Sequence, residues 1–188
     1  MIKQKKPIYS SRSPDWKFFS FDFDYGRIDS VDIRFSFTFV CGGYYGDIAL
    51  DDVIITGCHD VDISDSEHMS DVQKMADFAN QNDFPDKCET ELSNSMTCNF
   101  DSENLCGWRG ENVQFGRGET FTSNTGPNEA HSPDNYIYLE SSNADKAKIF
   151  SPKIPKHTEI CLKFYYYMHG IGWLPRGNLR SRVRVDLK

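Results

Sequence analysis

An all-β, antiparallel sandwich is the fold class this sequence predicts, and three observations predict it. Several stretches alternate apolar and polar residues with the period of two that half-buried strands require. The segments between them are rich in Gly, Pro, Asn and Ser, as in RGETFTSNTGPNEAHSPDN, residues 117–135. The best stretch with helical spacing, Val72, Met75, Ala76 and Ala79, sits in a segment with too little apolar content to build a core. Short strands joined by turn chemistry point to two packed sheets.

The elements divide the chain into four parts: residues 1–14, 15–58, 59–97 and 98–188. Residues 1–14 lead into the first strand. In 15–58, WKFFSFDFDYG is aromatic-rich with partial alternation. VDIRFSFTFV alternates cleanly, with Val31, Ile33, Phe35 and Phe37 on one face and Asp32, Arg34, Ser36 and Thr38 on the other. GGYYGD is a turn leading into IALDDVII. Residues 59–97 hold ten carboxylates against Lys74 and Lys87, a net −8 where the whole chain carries −7. That segment reads as a solvated, mostly irregular acidic linker, with a partner-binding segment that folds on contact as the alternative. Strand patterns return in 98–188. NYIYLE alternates, ICLKFYYYMHG sets Ile160, Leu162, Phe164, Tyr166 and Met168 on one face, and LRSRVRVDL does the same for Leu179, Ser181, Val183, Val185 and Leu187.

The net charge of −7 argues against a nucleic-acid partner, because nothing here would replace the counterions along a phosphate backbone. No apolar run approaches the roughly 18 residues that span a bilayer. The first residues are basic but lack the apolar stretch of a secretion signal, so an exported form would need sequence beyond this fragment.

Six cysteines occur, Cys41, Cys58, Cys88, Cys98, Cys106 and Cys161, with no CxxC spacing among them. Five histidines form neither HExxH nor HxxxH, which disfavours zinc. Disulfides are the better reading, and they imply an oxidising, extracytoplasmic setting. Spacing alone does not choose among the 15 pairings that six cysteines allow.

The stretch CNFDSENLCGW, residues 98–108, resembles the opening of a MAM domain, the extracellular module named for meprins, a neuropilin-type antigen and receptor tyrosine phosphatases. VQFGRG, NTGP, NYIYLESS, KAKIFSPKIP and CLKFYYYMHGIG each resemble a further MAM segment, in the family's order. Phe115 stands where the family usually has tryptophan, and LPRGN, residues 174–178, departs from its pattern. PDWKFFSFDF and GDIALDDVIITGC resemble the closing half of the same module. By resemblance, then, the chain is the end of one MAM domain followed by the start of a second, with a jelly-roll-like fold. Either the two parts complete one permuted sandwich, or each is completed by sequence outside this chain.

The resemblance implies that Cys98 bonds Cys106. It makes Cys161 the family's third cysteine and Cys58 its last, two complementary partners. Cys41 and Cys88 match no family cysteine, and their state stays open.

In GDIALDDVII, strict alternation sets Ile48, Leu50, Asp52 and Ile54 one way and Ala49, Asp51, Val53 and Ile55 the other. Either way one aspartate falls in an apolar stripe and must find partners. Some MAM domains carry a structural cation near this strand, and calcium suits hard oxygens such as those of Asp47, Asp51, Asp52 and Asp101. The alternative is hydrogen bonding to turn backbone or to an arginine such as Arg117.

No catalytic motif stands out: there is no GxSxG, and nothing sets two carboxylates at a glycosidase separation. There is also no N-x-S/T sequon. Tyr165, Tyr166 and Tyr167 are either core and sheet wall or a recognition surface. The function implied by resemblance is an extracellular, non-catalytic adhesion or interaction module that requires no cofactor. Its partner would be a protein, another MAM-containing chain being one candidate, and its membrane association would come only through a parent protein. Two alternatives are an accessory module of a metalloprotease whose catalytic domain lies outside this chain, and a glycan-binding jelly roll.

Overall fold

The computed structural model describes residues 7–9, 15–24, 32–42, 46–58, 90–91, 96–155, 159–168 and 181–187. Val31, the linker spacing at 72–79, Cys88, the stretch 174–178, Leu179 and the side chain of Cys58 lie outside the described residues. Among those described, every regular element is a strand. No helix there is long and apolar enough to cross a membrane.

The first sheet contains β1 (Ile8–Tyr9), β4 (Phe35–Val40), β7 (Arg109–Glu111), β10 (Lys146–Phe150) and β13 (Arg182–Leu187), in the spatial order β1-β13-β4-β10-β7. The second contains β2 (Lys17–Asp24), β5 (Ile48–Cys58), β8 (Gln114–Gly116), β9 (Tyr136–Leu139) and β12 (Glu159–Met168), in the order β2-β12-β5-β9-β8. The short β6 (Thr90–Glu91) pairs with the far end of β5, and β3 (Asp32–Ile33) pairs with β11 (Ile154–Pro155). All pairings are antiparallel. β4 lies between β10 and β13, and β5 lies between β9 and β12. Strands from residues 8–58 and from 109–187 are therefore interleaved within both sheets.

The alternating faces identified in the sequence make the core. Phe35, Phe37 and Phe39 from β4 meet Leu162 and Phe164 from β12 and Ile55 from β5, all essentially inaccessible to solvent. Phe37 contacts the Phe164 ring edge-on at 5.0 Å, a favourable aromatic geometry. Met168 joins the same core, and Tyr166 packs against it partly buried.

Two features depart from the sequence expectation. The stretch 31–40 is not one strand: it breaks at Arg34, and its two pieces pair with different neighbours, β11 and β10. Met96, inside the segment taken as linker, is 6% exposed and belongs to the core, and Cys98 beside it bridges Val53. The acidic segment thus ends in a packed anchor rather than in solvent, because one apolar residue beside a disulfide is enough to seat it.

Candidate interaction surface

Around Asp51 the register between β5 and β12 shifts. Lys163 pairs with Ile54 and Tyr165 with Asp51, so β5 holds one extra residue. Asp52 takes up the bulge with φ of 48°, and its N–H donates to Asp51 Oδ1 at 2.8 Å. The bulge reverses the phase of alternation. Ile48 and Leu50 face the core before it, and Val53 and Ile55 face the core after it. The expected aspartate in an apolar stripe does not occur, because β-sheet alternation was assumed unbroken across two residues that the bulge places together.

Both aspartates instead meet the long loop 117–135. Asp51 is buried, and its Oδ2 accepts the N–H groups of His131 at 3.0 Å and Ser132 at 3.2 Å. Asp52 Oδ2 lies 2.8 Å from His131 Nδ1. Burial pushes the Asp51 carboxyl from its ordinary 3.8 up to about 7; the Ser132 N–H opposes the rise and the Asp52 charge adds to it. The expectation that turn backbone serves Asp51 matches these contacts. Arg117 goes elsewhere, to Asp134 at 2.6 Å on the exposed part of the loop.

Three further carboxylates hold the same loop or its flanks. Asp47, fully buried, accepts from Thr125 Oγ1 at 2.6 Å and from the Ser141 N–H at 2.9 Å. Glu140, 1% exposed, accepts from Thr122 Oγ1 at 2.7 Å and Ser142 Oγ at 2.8 Å. Asp101 accepts the Asn135 N–H at 3.3 Å, and its backbone carbonyl accepts Asn135 Nδ2 at 2.6 Å. Of the four aspartates considered for a cation, Asp51 and Asp52 both meet His131, Asp47 meets Thr125 and Ser141, and Asp101 meets Asn135. Among the described residues no group of three or more His, Cys, Asp or Glu side chains is arranged to hold a metal ion.

Beneath the loop the outer face of the second sheet is aromatic. Tyr136, Tyr138 and Tyr167 form a buried cluster with Ala49, and Trp16 and Ala130 pack on it. The polar tips are satisfied: Trp16 Nε1 donates to the Glu129 carbonyl at 3.0 Å, Tyr136 to that of Gly118 at 2.5 Å, and Tyr138 to Gln114 Oε1 at 3.1 Å. Gly116 is required by this packing, since a Cβ there would come within 2.6 Å of the Tyr136 ring. The His131 ring stacks on Tyr165 at 3.4 Å, and Tyr165 in turn meets Phe18 at 5.2 Å. Phe18, on β2, is 54% exposed. The tyrosine run therefore serves three roles: Tyr166 packs on the core, Tyr167 on the outer cluster, and Tyr165 between His131 and an exposed phenylalanine.

The cysteines close the description. Cys98 and Cys106 are bonded, with Cα atoms 5.5 Å apart, and the turn they bound sits beside the buried rings of Phe100 and Trp108. Cys161 is also disulfide-bonded. Cys41 is a buried free thiol, pushed up to about 12 by burial, with the charges of Asp47, Asp145 and Glu140 adding to the rise. Such a thiol is protonated and inert at neutral pH. Sequence reading missed Glu140, Thr125 and His131, whose partners lie many positions away; the only available signal was the density of Ser, Thr and Asn in 117–135.

Two antiparallel sheets, a disulfide-closed turn and an aromatic outer face define a disulfide-bonded β-sandwich module. Residues 98–186 match the model of the MAM domain, meprin/A5/mu. This stretch is therefore similar to a MAM domain, a family of non-catalytic modules that occur in extracellular or membrane proteins. No solved structure matches the chain.

Proposed function

We propose that the chain is an extracellular, non-catalytic contact module that binds a protein partner in adhesion or receptor assembly. The observation that carries this reading is the MAM match over residues 98–186. The partner we propose is another MAM-containing chain, met through the exposed ring of Phe18 beside the half-buried Tyr165, since aromatic anchors concentrate binding energy at such contacts. Membrane association comes through the parent protein. In the same proposal, residues 15–58 and 98–188 form one self-sufficient sandwich, a MAM module in permuted order, joined by the acidic segment 59–97.

The pairing of Cys161 follows from the same reading. With Cys98 bound to Cys106 and Cys41 free, the intrachain partners left are Cys58 and Cys88. On β5 the backbone of Cys58 lies opposite Glu159, two residues along β12 from Cys161. We assign the bond to Cys58. Closing so long a loop contributes about 4 to 5 kcal/mol in the chain-entropy description.

Beads coated with the secreted chain test the contact role. Homotypic aggregation, or capture by a MAM-bearing partner, lost at least tenfold in Phe18→Asp, supports the reading. Beads that stay dispersed and bind no MAM-bearing chain overturn it.

A further inference from the structure

The turn between Cys98 and Cys106 contains the tripeptide Asn104-Leu105-Cys106. N-glycan transfer requires an asparagine two residues before a side chain that can hydrogen-bond to the reacting amide, ordinarily Ser or Thr. A cysteine thiol has the same placement as a serine hydroxyl and is a weaker donor of the same kind. The folded surroundings of Asn104 have room for a glycan once it is attached. The residue is exposed, and its Oδ1 accepts the Cys106 N–H at 2.8 Å, an Asx turn that folds residue 104 towards residue 106. Its Nδ2 has no hydrogen-bond partner among the described residues. Leu105, by contrast, packs partly buried against the core, so the turn holds the asparagine outward on a fixed base.

We propose that Asn104 is an N-glycan attachment site, used while Cys106 is still a thiol. In the transfer, Nδ2 forms a bond to C1 of an oligosaccharide carried on a lipid pyrophosphate. The bond from C1 to the phosphate oxygen breaks, the lipid pyrophosphate leaves with the electron pair, and one amide proton passes to a base of the transferase. Closing the disulfide then joins Cys98 and Cys106, with a protein disulfide of the secretory compartment taking up two electrons and two protons. Order matters: once bonded, Cys106 has no S–H, so chains that close the turn first escape glycosylation. The reverse order carries no penalty, because a glycosylated asparagine keeps its Oδ1 acceptor and its sugar projects into solvent. Partial occupancy, set by competition between transfer and oxidation, is the signature of this site.

This inference rests on the extracellular reading, and the experiment separates the two. The full 188-residue chain, fused to a secretion leader and an affinity tag, is expressed in a eukaryotic host. Glycopeptides covering Asn104 are quantified by mass spectrometry from lysate and medium together, since transfer precedes folding. Wild type carries a partial glycan at Asn104. Cys98→Ser, which leaves Cys106 a thiol, raises occupancy at least twofold, Cys106→Thr brings it close to complete, and Cys106→Ala and Asn104→Gln abolish it. A bare Asn104 in both wild type and Cys98→Ser overturns the proposal, whether or not Cys106→Thr is modified. Secretion of wild type and Cys98→Ser with Asn104 wholly bare in both would sink the site and leave the extracellular reading standing. Retention of the natural parent protein in the cytosol would sink that reading instead.

Discussion

Along β12, Leu162, Phe164 and Met168 look into the sandwich, while Tyr165 and Tyr167 look out towards a loop from a much earlier part of the chain. The inner face is held by non-directional burial, which tolerates exchange of one apolar side chain for another of similar volume. The outer face is held by directed contacts: aromatic rings whose polar tips each find an acceptor, and carboxylates that grip backbone N–H groups of residues 117–135. One sheet thus carries a solvent-type core on one side and a polar-tipped, titratable seam on the other. The difference teaches where this module is robust and where conditions can loosen it.

The largest expected effect breaks the inner face. Phe164→Ala removes a fully buried ring from contact with Phe37 and Phe19, and costs about 3–5 kcal/mol in urea denaturation, the same at pH 5.5 and pH 8. Removing the Cys98–Cys106 bond with paired alanine substitutions costs about 2.5 kcal/mol by loop-closure entropy, again without pH dependence.

The outer seam responds to pH. Asp51 has its folded value raised to about 7 from 3.8, so the folded state holds the proton more tightly than the unfolded chain. Its favourable contribution is complete below about pH 4 and is lost as the pH rises through about 7. Asp52 on the same strand, His131 on the loop and Tyr165 on β12 are the titratable groups around it. Thermal melts between pH 4 and pH 8 should show stability falling with rising pH in wild type, and a flatter profile in Asp51→Asn. A wild-type slope unchanged by Asp51→Asn would remove this group from the account.

Smaller still, Thr125→Val deprives the buried Asp47 of one donor and costs about 1 kcal/mol, read from the same melts. The smallest effect sharpens the comparison from the other side. Because the carboxylates of the seam already face N–H and O–H donors, chelator or added calcium should leave the melting temperature unchanged within about 1 °C, well below the shift a bound ion at 100-fold excess over its Kd would produce.

Much of this was legible beforehand, and the residues show why. β4, β5, β9, β12 and β13 declared themselves because one face of each meets a core, which enforces a period of two. The Cys98–Cys106 pair was legible through resemblance, since the motif CNFDSENLCGW is short and dense. The Asp52 bulge was not legible: a single inserted residue leaves no trace in an apolar pattern where Ile48, Leu50, Val53 and Ile55 fit either phase. The break at Arg34 was hidden for a similar reason, because both halves keep their alternation across it. The loop anchors were hidden by distance. Thr125 and Asp47 are 78 positions apart, and His131 and Asp51 are 80 apart, so no local rule joins them.

The central claim is that one chain supplies both halves of a single sandwich. Non-reducing peptide mapping of the monomeric secreted chain tests it most directly. The account predicts Cys58 linked to Cys161, Cys98 linked to Cys106 and Cys41 recovered as a thiol. Cys161 joined to a second chain, or Cys58 recovered free, would contradict it.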